Sequence, residues 1–150
     1  MILLRNYFIN TSEGIDVKSV VHEVNRTLRE SNAKQGLVTI VVPEPGAALT
    51  LIEMLPDVVE QLKEAVRIFP GQGMATKGPR KEEIDVGPRV AAAMLGRSLS
   101  IPLAEGRLVL GAREEPVIID LESGGRRREF CVQVTAEAQQ QARPAARQRR

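Results

Sequence analysis

With 150 residues, 43% of them hydrophobic, the chain has the length for one domain with a sizeable core and is too short for two. Aromatic residues make up only 3% and Trp is absent, so the core is expected to be aliphatic, and no apolar run reaches the roughly 18 residues of a membrane helix. The formal charge of +2 misleads: residues 143–150, RPAARQRR, hold four of the 21 basic side chains and no acid, which leaves 17 basic against 19 acidic in the rest.

Met1 to Arg5 is too short for the apolar region of a signal peptide and lacks a basic start. The basic end reads as a solvated tail over 139–150 behind a domain over 1–138, which sets nucleic-acid binding aside. Cys131, alone in the chain, can form no internal disulfide. It reads as a small buried hydrophobe in a strand, and its solitude fits a reducing, cytoplasmic location.

In chain order, residues 2–9, ILLRNYFI, alternate loosely as a strand does, and Thr11 to Gly14 supplies a turn. Val17, Val20, Val21, Val24 and Leu28 then fall on one face of a helix, with Asp16 as N-cap and Asn32 to Gly36 as its stop. His22, the only histidine, lies beside that stripe with no second His at ligand spacing. Leu37 to Val42 is the strongest strand, apolar on both faces and hence expected at the centre of a sheet. Residues 47–53, AALTLIE, fit strand or helix equally well. Pro56 and Asp57 open a second helix whose buried face is expected to be Val58, Leu62, Ala65 and Phe69, ended by Pro70. Residues 71–87 carry no period and many breakers, which predicts a long loop that is mobile or part of a site. The Gly-x-Gly at 71–73 lacks the strand and helix of a phosphate loop. Pro88 to Leu95 with Gly96 as cap predicts a short helix, whose three consecutive Ala suggest close approach to another backbone.

The region from Ser98 to Thr135 holds Leu99–Ile101 with Leu103, then Leu108–Leu110, Val117–Ile119, and the alternating Phe130, Val132 and Val134. Gly-bearing turns at Glu105-Gly106 and Ser123-Gly124-Gly125 separate them, so this half reads as antiparallel strands of one sheet.

Three segments, VVPEPGAALTLIE at 41–53, AAAMLGRSLSIPLAEGRLVLG at 91–111 and RRREFCVQV at 126–134, appear in an order that resembles the YjbQ family of small proteins of uncertain function. The resemblance covers roughly residues 5–137 and is most specific at LGRSLSIPLAEGRLVLG. It implies an α+β fold, a single two-layer domain with a largely antiparallel sheet and about three helices, assembled as a homotrimer. It also implies a thiamine-phosphate-synthase-like activity, reported as weak for some members.

Departures from the family pattern fall on its chemistry. The family's site is built around histidines; here Glu44 stands at the first such position, Arg89 at the second, and residues 71–87 contain no His. Glu53, Gly96, Ser98, Pro102, Gly106, Arg107, Leu110 and Gly111 are kept. Three neutral imidazoles hold a divalent metal; a carboxylate and a fixed guanidinium in their place oppose one, so no cofactor is expected and the metal site reads as degenerate. An Arg89–Glu44 ion pair is expected to fill the space. Arg126 and Arg128, on one strand face, could join Arg107 in holding a phosphate, or form a charged edge neutralised by Glu114 and Glu115. The residues expected around a ligand are therefore Glu44, Glu53, Arg89, Arg107, Arg126 and Arg128, the ligand an anionic or phosphorylated small molecule. The alternatives are a surviving thiamine-phosphate-synthase-like enzyme and an interaction protein that uses its basic tail.

Overall fold

A computed structural model describes residues 1–137. The expected tail at 139–150 lies outside the described residues. Among the described residues ten strands and three helices form an α+β fold with antiparallel sheets. β1 (Ile2–Asn10), β10 (Arg127–Ala136), β3 (Gly36–Val41), β7 (Ser98–Ala104) and β8 (Arg107–Leu108) lie side by side in that order as a five-stranded sheet. β2 (Asp16–Ser19), β9 (Glu114–Asp120) and β4 (Ala47–Glu53) make a second sheet, and β5 (Ala75–Lys77) pairs with β6 (Glu83–Asp85) in a hairpin.

The two larger sheets share one core. The inner face of the five-stranded sheet contributes Val38, Ile40, Ile101, Phe130, Val132 and Val134. Helix α1 (Val21–Ser31) brings Val24 and Leu28, and the second sheet brings Ala47, Leu49 and Ile118. The other face of the second sheet, with Ala48, Ile52, Val117 and Ile119, packs under α2 (Pro56–Arg67) and α3 (Val86–Leu95). β9 is therefore covered on both faces and buried from Pro116 to Asp120. Among the described residues no helix is long and apolar enough to cross a membrane.

Several expectations meet their structure here. β3 is central, between β10 and β7, as its apolar run predicts. Its outer face is nevertheless not buried, and the strand covered on both sides is β9. The strands after residue 98 do not form one sheet: β9 crosses to the second sheet, while β10 pairs with β1 and β3. Both arrangements satisfy the same local patterns, and only long-range pairing chooses between them. α1 starts at Val21 rather than after Asp16, because Asp16–Ser19 pairs with Val117–Asp120 as β2, and the Val20 amide donates to the Pro116 carbonyl at 3.0 Å. β-branched valines suit either state, so the tertiary pairing decides.

Residues 47–53 are a strand, held against β9 over their whole length. In α2 the face is turned by one residue from the expected one. Val59, Leu62, Val66 and Phe69 pack inward, while Val58 and Ala65 are exposed. The predicted loop at 71–87 contains the β5–β6 hairpin. In α3, Ala91 and Ala92 are buried against the second sheet, the close approach that small side chains permit. Cys131 lies half-buried on the outer sheet face, not in the core.

Candidate functional site

β10 alternates inward and outward, and that alternation puts Arg128 on the same side as Phe130, Val132 and Val134. The side chain is thereby driven into the interior, 3% exposed, where an unpaired charge would be very costly. β9 supplies the answer. Its last residue, Asp120, is fully buried, and Arg128 grips it with two bonds: Nε donates to Oδ2 at 3.1 Å and Nη2 to Oδ1 at 2.7 Å. Nη2 also donates to Glu122 Oε1 at 3.1 Å, and Nη1 to Glu44 Oε2 at 3.4 Å. The Thr11 hydroxyl donates to Asp120 Oδ2, and the Glu122 amide to Oδ1 at 3.0 Å. Arg126 closes the cluster through Nη2 on Glu122 Oε2 at 2.9 Å.

Burial alone would push the Asp120 carboxyl up, but the bonds from Arg128, Thr11 and the Glu122 amide outweigh it and hold the group below its ordinary value. Burial likewise disfavours the charged Arg128, and Asp120 and Glu122 more than reverse that, raising its pKa. Gly46 completes the fit, since a Cβ there would stand 1.7 Å from Glu122 Oε1. Two guanidinium groups meet three carboxylates in this cluster. Its arginines are spent on partners inside the chain.

The six residues expected around one ligand are dispersed. Glu44, Arg126 and Arg128 do come together: Glu44 bonds Arg128 directly, and Glu122 joins Arg128 to Arg126. Arg126 and Arg128 do not share a strand face, because Arg126 precedes β10 and is exposed whereas Arg128 points inward. Arg89 makes no ion pair with Glu44; its Nη1 donates to the Asp85 carbonyl at 3.1 Å, one turn back at the start of its own helix. Glu53 sits at the far end of β4 from Ala47, the residue that pairs with Asp120, and bonds Arg113 Nη2 at 3.2 Å on the surface. Nor does Glu114 neutralise the arginines: its carboxylate accepts from the Gly111 amide at 3.4 Å.

Arg107 is at the opposite end of the five-stranded sheet. It pairs with Ala104 beside Leu103, which faces Gly36, which in turn faces Ala136, eight residues along β10 from Arg128. At about 3.4 Å per residue that is roughly 27 Å, too far for one phosphate to touch both arginines.

Near Arg107 the structure holds something the sequence does not announce. The β7–β8 turn, with Glu105 and Gly106 at positive φ (51° and 76°), folds back on the end of α1, and the Gly106 amide donates to the Lys34 carbonyl at 2.9 Å. Between them lies a cleft of about 260 Å³ lined by Asn25, Leu28, Arg29, Asn32, Ala33, Lys34 and Gly106. Among the described residues two cations and two amides line it and no acid does. The C-terminal end of α1 carries partial negative charge, against which the two cations act, and the backbone amide of Asn32, in the left-handed conformation at φ 53°, bonds the carbonyls of Leu28 and Arg29. A second cleft of about 400 Å³ lies between the start of α3, residues 72–74 and the turn after β9, but it mixes Arg67 with Asp85, and Arg67 is already paired with Glu64.

Sequence reasoning missed Asp120, Glu122 and Thr11, and it missed the cleft. For Asp120 a signal existed: an acid that ends an otherwise apolar run, PVIID, needs a buried cation. For the cleft none did, since residues 25–34 and Gly106 meet only through the fold.

A divalent metal does not fit at Glu44 and Arg89. Glu44 accepts from the guanidinium of Arg128, whose charge repels a cation, and the second position is itself Arg89. His22 is exposed, and among the described residues no group of three or more His, Cys, Asp or Glu is placed to hold a metal ion.

The family described as UPF0047 protein YjbQ-like matches residues 5–137. A UPF0047 protein of Archaeoglobus fulgidus is 22% identical over 120 residues, covering 80% of this chain and 92% of that one. Among solved structures, a YbjQ-like protein of unknown function from Sulfolobus solfataricus superposes with a TM-score of 0.81 at 20% identity, over 91% of this chain and 99% of that one. A hypothetical protein from Aeropyrum pernix gives 0.79 at 23% identity, over 90% and 99%.

Proposed function

The chain belongs to the UPF0047 YjbQ-like family, a family of unknown function, and we propose that within it this protein is a non-catalytic or altered-specificity homotrimer that binds an anionic or phosphorylated small molecule. The observation that carries the ligand class is the cleft at the end of α1, which among the described residues is lined by Arg29 and Lys34 and by no acid. A phosphate there gains charge-assisted hydrogen bonds from the two cations and a neutral one from the amide of Asn25. Arg126 and Arg128 are poor candidates for that task, because a phosphate would have to displace carboxylates that already hold them. The loss of catalysis rests on the same ion cluster, which takes up Glu44 at a position where the family carries a metal-binding histidine.

Titration of the full chain with inorganic phosphate and pyrophosphate, followed by calorimetry and by amide shifts, tests the reading. Shifts confined to residues 25–34 and 105–107 that weaken with added salt support it. Saturable binding of a divalent metal, with turnover of a phosphorylated substrate, would sink it in favour of the enzyme.

A further inference from the structure

We infer that Gly106 is a positioning residue of the cleft at the end of α1: it sets where the Lys34 ammonium meets a phosphate. This deepens the phosphate reading of that cleft and rests on it. A lysine carries its charge on a flexible four-carbon stem and loses much rotamer freedom when a ligand immobilises it. A lysine already held in place therefore binds a phosphate more tightly than a free one does.

Lys34 stands in neither helix nor strand, between Ser31 at the end of α1 and Gly36 at the start of β3. From Ser31 to Lys34 the link is nonetheless fixed. The Ser31 hydroxyl donates to the Leu28 carbonyl at 2.7 Å and accepts from the Ala33 amide at 3.1 Å. The Asn32 amide bonds the Leu28 and Arg29 carbonyls, and the Lys34 carbonyl accepts from the Gly106 amide at 2.9 Å. The backbone of Lys34 is thus tied both to the helix that carries Arg29 and to the β7–β8 turn.

The same turn guides the side chain. A Cβ at Gly106 would stand 3.3 Å from Lys34 Cδ and 3.5 Å from its Nζ, so the lysine stem lies across the bare backbone of the glycine, at the wall of the cleft. The turn by itself does not demand this. Glu105 and Gly106 both take positive φ, a conformation that Asn also tolerates. What a side chain at 106 cannot keep is the path of the lysine, because its Cβ already presses on Cδ. A glycine here serves the cation more than the turn.

Calorimetric titration of the full chain with pyrophosphate tests this on four forms: unsubstituted, Gly106→Asn, Lys34→Ala and the double variant, with circular dichroism to check folding. Lys34→Ala should weaken binding about tenfold and Gly106→Asn about fivefold, and the double variant should bind no more weakly than Lys34→Ala alone. That non-additivity is what a residue acting through Lys34 requires, and a general loss of structure does not produce it. Losses that multiply, or a Gly106→Asn chain that binds like the unsubstituted one, overturn the inference and leave the phosphate cleft standing. An unsubstituted chain that binds no pyrophosphate overturns both. Hydrogen exchange of the Gly106 amide gives a readout that needs no substitution and decides the matter if Gly106→Asn does not fold. Its bond to the Lys34 carbonyl should exchange more slowly once pyrophosphate holds the lysine, and an unchanged rate in a chain that binds pyrophosphate overturns the role of Gly106.

Discussion

The two basic regions of this molecule use arginine in opposite ways. At the start of β10, Arg128 is buried and Arg126 is bound to Glu122, so each guanidinium has a carboxylate and the charge serves the fold. At the end of α1, Arg29 and Lys34 line an open cleft to which, among the described residues, no acid contributes. Both look alike in the sequence, as basic residues near a Gly-containing turn. The difference lies in what the register brings opposite them: Asp120 and Glu122 in one case, amides in the other. Charge already paired holds a structure together, and charge left unpaired on a concave surface is available to a ligand.

The largest expected effect breaks the first region. Arg128→Met leaves Asp120 buried without its cation and should cost about 3–5 kcal/mol in urea unfolding. Pairing it with Asp120→Asn should recover much of that loss. The recovery, measured as a double-mutant cycle, gives the coupling directly.

Acid should act on the same pair. The Asp120 carboxyl is lower in the folded than in the unfolded chain, so the folded state binds fewer protons. Its stabilisation is present above the unfolded carboxylate value near 3.9 and is lost as pH falls through the depressed folded value. Denaturant midpoints taken from neutral to strongly acidic pH should therefore fall on the acid side, and Asp120→Asn should flatten that fall.

Gly46→Ala sharpens the picture at smaller scale. The added methyl must move Glu122, which both arginines hold, so a loss on the order of 1–3 kcal/mol is expected, again by urea unfolding. In the second region, Arg29→Ala with Lys34→Ala should leave stability within about 0.5 kcal/mol and weaken pyrophosphate binding about tenfold or more by calorimetry, since both side chains are exposed. The smallest effect belongs to Arg113→Ala. Its pair with Glu53 lies on the surface, and thermal unfolding should register roughly 0–1 kcal/mol.

Much of the fold was legible before the structure. Apolar runs placed β1, β3, β7 and β10, helical spacing placed α2 and the body of α1, and the Ala-rich segment with Gly96 placed α3 and its close packing. Those signals are local, because a side chain's face follows from period 2 or 3.6 alone. The errors have a single origin. Asp16–Ser19 became a strand, β9 left its sequence neighbours for another sheet, and the face of α2 turned by one residue, each through contacts with residues far away in the chain.

The candidate site was less legible for the same reason. Of the six residues, Glu44, Arg126 and Arg128 meet, yet what joins the two arginines is Glu122 and what buries Arg128 is Asp120, neither of which any motif marked. An Arg in a strand pattern could face either way until the register of β10 was set by β1 and β3.

By itself, then, the amino-acid sequence determined an aliphatic core, mixed helices and antiparallel strands, and the family. Composition, periodicity and motif order are properties of the chain as written, and need no third dimension. The tertiary structure decided which arginines are neutralised, which face of the five-stranded sheet stays open, and that Arg107 and Arg128 lie at opposite ends of it. Those outcomes depend on pairing between strands as far apart as Ile2 and Thr135, and such pairing is fixed by the burial of the whole core rather than by any one segment.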